Sequence, residues 1–378
     1  MAWRHGRSSP AGERVLTMAL LPPVPHEVLV SLGRSSPGDG GIFEFSSQLA
    51  QRIAQVAPSW RESQGVGFTF HLRPELLGVF GGDVGYLPLR RMDRWLHRTD
   101  RPFSLWHSVH QMNKSLPPVG CRQRLVTIHD LNYLYGRSPL SVWRHNGQLR
   151  RLLRRTDHVT TVSRHTALDV ERTLGWHGPL DVIHNGARNL ARDAREPLFE
   201  PVRPFLFHLS RMSPSKNPQA LLAMAAIWPE MDFVLCGPPS GDARALAAAP
   251  HPPNVRFFLG ISDAQKTWAY ANCAGFLFPS LTEGFGLPPI EAMHFGKPVF
   301  LARRTCLPEI GGEAASYFDD FEAATMRRIV ERGLAHGGEP GRADAVRAHA
   351  AHFDWDRAAV HYLSLYRLLL GLPSEVRP

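Results

Sequence analysis

Cysteine is scarce in this chain: four residues among 378 (Cys121, Cys236, Cys273 and Cys306), all far apart. No pair has the close spacing of a metal knuckle, and the density is too low for a disulfide framework, so free buried thiols in a reducing compartment are expected. Long apolar runs are missing too. No window holds about 18 uninterrupted apolar residues, which excludes a membrane-spanning helix. The longest early run, Leu16 to Val24, is broken by Pro22 and Pro23 and preceded by Glu13 and Arg14, a poor secretory signal. A cytoplasmic location is therefore expected. Lysine is nearly absent among the cations, with four residues beside 39 arginines.

What is present is the composition of an ordinary globular protein: 43% hydrophobic, 20% charged and 10% aromatic residues, neither disordered nor collagenous. At roughly 150 residues per domain the length implies two or three domains. The net charge of +9 is unevenly spread. Residues 1–200 carry 26 Lys and Arg against 17 Asp and Glu, whereas residues 201–378 carry 17 of each. Between Arg90 and Arg155 the count is 14 basic to 3 acidic, including Arg90, Arg91, Arg94, Arg98, Arg150, Arg151, Arg154 and Arg155. Such a region attracts anionic lipid headgroups, nucleic acid or phosphorylated substrates; a solvated face in an arginine-heavy chain is the plainer reading.

Residues 1–25 read as a flexible leader, with Met18 as an alternative start. Glu27 to Leu32 is the first good strand, followed by the turn Gly38-Asp39-Gly40-Gly41 and by Ile42, Phe45, Leu49, Ile53 and Val56 at helical spacing. Short apolar runs bounded by turn residues recur at Val66 to Leu72, Ser104 to His107, Leu125 to His129 and His158 to Val162. A polar, proline-containing stretch before Pro204 reads as a linker. After it come Pro204 to Ser210, Asp232 to Cys236, Val255 to Leu259, Ala274 to Phe278 and Pro298 to Leu301. Strands alternating with helices mean parallel sheets, so two doubly wound α/β domains are expected, with ligands at the carboxyl ends of the strands in the cleft between them. The last helical stretch, Trp355 to Leu372, places Ala359, Tyr362, Leu363 and Tyr366 on one face and must pack on something.

The window Phe278 to Gly296 (FPSLTEGFGLPPIEAMHFG) holds the most chemistry. A strand ends at Phe278, a Gly-rich loop follows, and a helix starts near Pro288 or Pro289. Glu283 falls in the loop and Glu291 in the first helical turn, so both carboxylates can face one cavity and accept hydroxyls. Backbone N–H groups at Gly284, Phe285 and Gly286 form an anion- or hydroxyl-binding nest with the helix N-terminus. Taken alone, Glu291 could instead complement the helix dipole and Glu283 cap the turn. In a second window, His208 to Asn217 (HLSRMSPSKN), Arg211 and Lys216 lie around a Ser-Pro turn at a strand's carboxyl end, a pair able to clamp a diphosphate; two scattered surface cations are the alternative.

The first window resembles the Glu-x7-Glu motif of retaining glycosyltransferases of family 4, and Arg211 and Lys216 have the spacing seen in that family. The resemblance runs from about Val28 to Leu370, closely in the second half and loosely in the first. It implies the GT-B fold of two facing Rossmann-like domains: an acceptor-binding domain over 26–190, a linker at 191–204, a nucleotide-sugar domain over 205–354, and a final segment, 355–378, packed back on the first domain. It further implies that Glu291 holds the nucleotide ribose and that Glu283 holds the donor sugar with the amides of Gly284, Phe285 and Gly286. Arg211 and Lys216 would hold the diphosphate, approached by the backbone of Gly40 and Gly41. The pair His129 and Asp130 ends LVTIHDL, and the resemblance puts His129 near the reacting centre and Asp130 toward the acceptor. Two departures stand out: Ser210, where many members have glycine, and His184, where proline is usual.

The expected activity is transfer of a sugar such as mannose, rhamnose or glucose from a nucleoside diphosphate sugar, with retention, to a glycan or lipid-linked acceptor in bacterial envelope polysaccharide or lipopolysaccharide synthesis. The catalytic set is His129, Glu283, Arg211 and Lys216, with no metal and no cofactor beyond the donor. Peripheral contact with an anionic membrane is expected through the basic region with Trp95, Leu96 and Trp143, and no nucleic-acid partner is expected. Alternatives are a GT-B enzyme that epimerises or hydrolyses a nucleotide sugar, and a non-catalytic polyanion-binding protein.

Overall fold

The computed structural model describes residues 21–34 and 40–373. Most of the expected leader, with Met18, and Gly38 and Asp39 of the glycine turn lie outside the described residues. Among the described residues the first sheet has seven strands: β1 (His26–Ser31), β2 (Val66–Leu72), β3 (Gly85–Pro88), β4 (Leu105–Ser108), β5 (Gln123–Ile128), β6 (His158–Thr161) and β7 (Leu180–Val182). Their order is β3-β2-β1-β4-β5-β6-β7, and every pairing is parallel. α1 (Gly41–Gln64), α2 (Pro139–Leu153) and α3 (Arg164–Asp169) are its helices. β2 is buried along its whole length, as a parallel strand covered on both faces must be, which is why VGFTFHL reads as a nearly continuous apolar run.

The second sheet has six strands: β8 (Phe205–Leu209), β9 (Asp232–Gly237), β10 (Val255–Leu259), β11 (Gly275–Phe278), β12 (Val299–Ala302) and β13 (Ala315–Phe318), in the order β10-β9-β8-β11-β12-β13 and again all parallel. Its helices are α4 (Pro218–Ala226), α5 (Gly241–Ala248), α6 (Asp263–Asn272), α7 (Leu287–His294), α8 (Leu307–Gly311), α9 (Ala323–Gly337) and α10 (Arg342–Ala350). Each sheet has a separate apolar core on either face. Strand order reverses between β1 and β4 in the first sheet and between β8 and β11 in the second, and the crevices at these switch points are where such sheets bind ligands.

The final helix, α11 (Trp355–Leu369), belongs to the first sheet's core: Trp355, Tyr362, Leu363 and Tyr366 pack with Phe45, Leu49 and Phe68. It is also pinned by polar contacts. Tyr366 Oη lies 2.6 Å from His107 Nδ1, His107 Nε2 lies 2.8 Å from Thr127 Oγ1, and Thr127 and Thr160 hydroxyls are 2.7 Å apart. Complete burial pushes the His107 pKa down to about 3, so this ring is neutral. The chain thus crosses between the two sheets twice, and the crossings meet where the Ala187 N–H donates to the Phe353 carbonyl at 2.9 Å.

Candidate active site

The carboxyl ends of both sheets border a cavity of about 630 Å³. From the first domain come Gly40 and Gly41 after β1, and His129 and Asp130 after β5; from the second come Arg211 and Lys216 after β8, and Glu283, Gly284, Phe285, Gly286 and Glu291 after β11. All of the candidate site residues therefore line one space.

On the second domain's side, Lys216 Nζ donates to Glu283 Oε1 at 2.6 Å, and Ser280 Oγ donates to the same oxygen at 2.7 Å. The Glu283 N–H donates to Thr305 Oγ1 at 3.1 Å. One carboxylate oxygen is thus fixed from two directions, leaving Oε2 to accept a ligand hydroxyl. The N–H groups of Gly284, Phe285 and Gly286 form no hydrogen bond among the described residues, so they remain available to an oxygen-rich ligand. Glu291 is the fifth residue of α7 and not in its first turn, because the helix already begins at Leu287. This excludes the dipole-complementing reading, which needs a first-turn position. Its carboxylate accepts from Tyr270 Oη at 2.9 Å and lies 3.8 Å from Lys266 Nζ. Glu291 is the main cause holding the Lys266 pKa above its ordinary value, against the opposing effect of burial.

Ser210 fixes the turn carrying Arg211. Its Oγ lies 2.7 Å from His208 Nε2 and accepts the Met212 N–H at 3.0 Å, while Met212 takes a positive φ of 57°. Gly40, φ 62°, tolerates this left-handed backbone without a Cβ penalty, and a Cβ there would stand 3.3 Å from an Arg211 guanidinium nitrogen.

His129 is buried against Phe45 in an edge-on contact, centroids 4.6 Å apart. Its Nε2 must donate to the Val109 carbonyl at 2.8 Å, because that oxygen can only accept. Burial lowers its pKa. The neutral ring so defined offers Nδ1 as an acceptor, suited to a sugar hydroxyl and not to an anion. Gly284 touches this same strand end: a Cβ at Gly284 would collide with the His129 carbonyl oxygen, so the loop of one domain closes onto the other only because this residue is glycine.

A carboxylate also ties the domains together. Glu309 on α8 accepts the Arg164 N–H of α3 at 2.9 Å and a donation from His184 Nε2 at 2.6 Å. Burial acts to raise its pKa, but the bonds from His184 and Arg164 outweigh burial and hold it below the ordinary value. His184 thus has a structural partner.

Three charged residues that the sequence does not single out also line the cavity: Glu44, Arg188 and Lys266. Burial raises the Glu44 pKa, with the nearby Glu291 adding to the effect and Arg188 and Lys266 opposing it. A second cavity, of about 820 Å³, shares Ile42, Asp130 and Asn132 with the first. Its walls carry Arg94, Lys114, Arg137, Arg151, Arg154 and Arg155, with Asp130 the sole carboxylate among the described residues. Among the described residues, the one cluster of three His, Cys, Asp or Glu side chains spaced to hold a metal is His71, Asp93 and His97, which lines neither cavity.

Residues 41–188 match the family described as Glycosyltransferase Family 4, and residues 191–324 match Glycosyl transferases group 1. Among relatives, the serotype-specific mannosyltransferase WbdA of Escherichia coli is 31% identical over 186 residues, which is 45% of this chain and 22% of that protein. The chain therefore spans about a fifth of that relative's length. Among solved structures, sucrose-phosphate synthase from Thermosynechococcus elongatus superposes with a TM-score of 0.69 at 17% identity, over 92% of this chain and 99% of that one. HepE from Anabaena, in complex with UDP-glucose, gives 0.62 at 16%, over 90% and 99%. With two facing parallel sheets, a matched family on each and these structural neighbours, the chain belongs to the glycosyltransferases of family 4 and has the GT-B fold.

Proposed function

We propose that the chain transfers a glycosyl group, with retention of anomeric configuration, from a nucleoside diphosphate sugar in the interdomain cavity to an acceptor entering through the cation-lined cavity beside it. The observation that carries this reading is convergence: three separate chain segments, around 129, 211–216 and 283–291, bring a carboxylate pair, two cations, unpaired backbone amides and a neutral imidazole to one space. Glu291 would accept the ribose hydroxyls. Glu283 Oε2 and His129 Nδ1 would accept hydroxyls of the sugar, and Arg211, Lys216 and the loop amides would stabilise charge gathering on the departing diphosphate. Glu283 is committed to Lys216 and Ser280 and orients the sugar; it is not the nucleophile of a double displacement. The leaving phosphate takes the acceptor's proton on the same face of the sugar.

A mannosyl donor is favoured by the named relative, and the UDP-glucose held by HepE supports a nucleotide sugar in this fold. The six cations of the second cavity suit an acidic or lipid-diphosphate acceptor. Trp95 in the same cavity wall and Trp143 on α2, 66% and 72% exposed, suit peripheral contact with an anionic bilayer. Calorimetry of the full chain against GDP-mannose, UDP-glucose, ADP-glucose and dTDP-rhamnose tests the proposal. One nucleotide class should bind, and Glu291→Ala should weaken it about tenfold or more, the loss of one or two charge-assisted hydrogen bonds. Binding of none, or binding unchanged in Glu291→Ala, would overturn it.

A further inference from the structure

Away from both cavities, where β1 and β2 end, three buried side chains make a cluster that the proposed transfer does not use. His71 is 0% exposed, Asp93 5% and His97 2%. A ligand atom from each lies within 4.8 Å of the others, and His71 Nε2 is 3.1 Å from Asp93 Oδ2. The two imidazole rings are 4.7 Å apart between centroids and tilted by 32°.

The hydrogen bond on the far side of the His97 ring fixes where its proton is. His97 Nδ1 stands 2.8 Å from the Leu116 carbonyl, which can only accept, so Nδ1 carries the proton. In the neutral ring Nε2 then presents a lone pair, and this atom is buried with no hydrogen-bond partner among the described residues. A proton there would leave an unpartnered buried N–H and a buried charge, both costly. A cation would satisfy the lone pair. His71 differs: its Nε2 faces the accepting Asp93 Oδ2, while Nδ1 lies 2.9 Å from Ser31 Oγ, a hydroxyl that can donate or accept and also receives Asn113 Nδ2 at 2.8 Å, so a cation displacing the Nε2 proton would leave Nδ1 protonated and partnered. Asp93 accepts the Arg90 N–H at 2.6 Å. Ligands oriented by outer hydrogen bonds are the habit of metal sites.

We propose that His71, Asp93 and His97 bind a zinc-type divalent cation that fastens the arginine-rich segment 89–118 to the ends of β1 and β2. Two imidazole nitrogens and one carboxylate oxygen are an ordinary donor set for zinc, whose fourth position water can fill. With bonds of about 2.0–2.1 Å, tetrahedral ligands stand roughly 3.3 Å apart, so the ion draws the three side chains together from their present separations. Asp93 and His97 flank Arg94 and Trp95, which line the cation-rich cavity, so the ion fixes that wall without touching donor or acceptor.

The test uses the full chain without a histidine tag, stripped by a chelator and titrated with zinc alone. Calorimetry should give one saturable site and a zinc-dependent rise in melting temperature, and cobalt(II) in place of zinc should give the visible absorption of a four-coordinate ion. His97→Ala should weaken zinc binding about 100-fold and abolish the melting shift. Should that variant fail to fold, Asp93→Asn keeps the shape and should show the same loss. No saturable site in the parent chain would overturn the proposal, as would equal zinc affinity and an unchanged cobalt spectrum in a folded variant. In either case His71 and Asp93 are simply a buried hydrogen-bonded pair beside His97.

Discussion

Lys216 and Lys266 each face a carboxylate in the same cavity, but the proposed chemistry asks different things of them. Lys216 lies 2.6 Å from Glu283, on the side assigned to the diphosphate, where charge grows in the transition state. Lys266 lies beside Glu291, where the bound ribose is unchanged during transfer. Steady-state kinetics should separate them: Lys216→Ala lowers kcat about 10²–10³-fold, as loss of a preorganised donor to a developing anion does. Lys266→Ala chiefly raises KM, the mark of an interaction equal in ground and transition states. Equal effects on kcat would contradict the assignment. At this scale the sequence was legible where chemistry is compressed into a short window. Glu283 and Glu291 share one loop and helix, and Arg211 and Lys216 share one turn, so spacing alone placed them together. Glu44, Arg188 and Lys266 were not legible, since each resembles a solvated charge until the fold turns it inward. His71, Asp93 and His97 have no diagnostic spacing either, because the cluster is assembled by β2 and a loop that returns to it.

Among the elements, α3 and α8 form the clasp between domains. The Glu309 carboxylate sits at the first turn of α3, where N–H groups lack intrahelical partners, and also receives His184. Its folded pKa is depressed, so its stabilisation is fully present above the unfolded value of 4.5 and is lost as pH falls through the folded value. Glu309→Gln should therefore cost about 2 kcal/mol at pH 7, the scale of hydrogen bonds to a charged acceptor. The difference in melting temperature from the parent should shrink as pH is taken below 4.5; a pH-independent difference would show that the charge is irrelevant. Strand legibility follows burial. The ten runs readable as strands include every central one, whereas β3, β7 and β13, which were not readable, are all edge strands. Each pairs on one side only and is largely half-exposed, so GYLP, LDV and ASYF lack the continuous apolar run of a strand covered on both faces.

At the scale of the molecule, the two sheets present their switch points to each other and the chain closes the arrangement by returning α11 to the first core. The basic excess of the first 200 residues becomes a specific feature here, a cation-lined cavity opening beside the donor cavity. This architecture was legible from the alternation of strands and helices. The tightness of the join was not, since it depends on Gly284 meeting the His129 carbonyl across the cleft. The central claim is that both domains contribute to one donor site, and hydrogen–deuterium exchange with and without the nucleotide sugar that binds tests it most directly. Protection should appear together in residues 40–44 and 129–132 of the first domain and in 210–216 and 283–291 of the second. Protection confined to one domain, or lying outside these segments, would contradict the account.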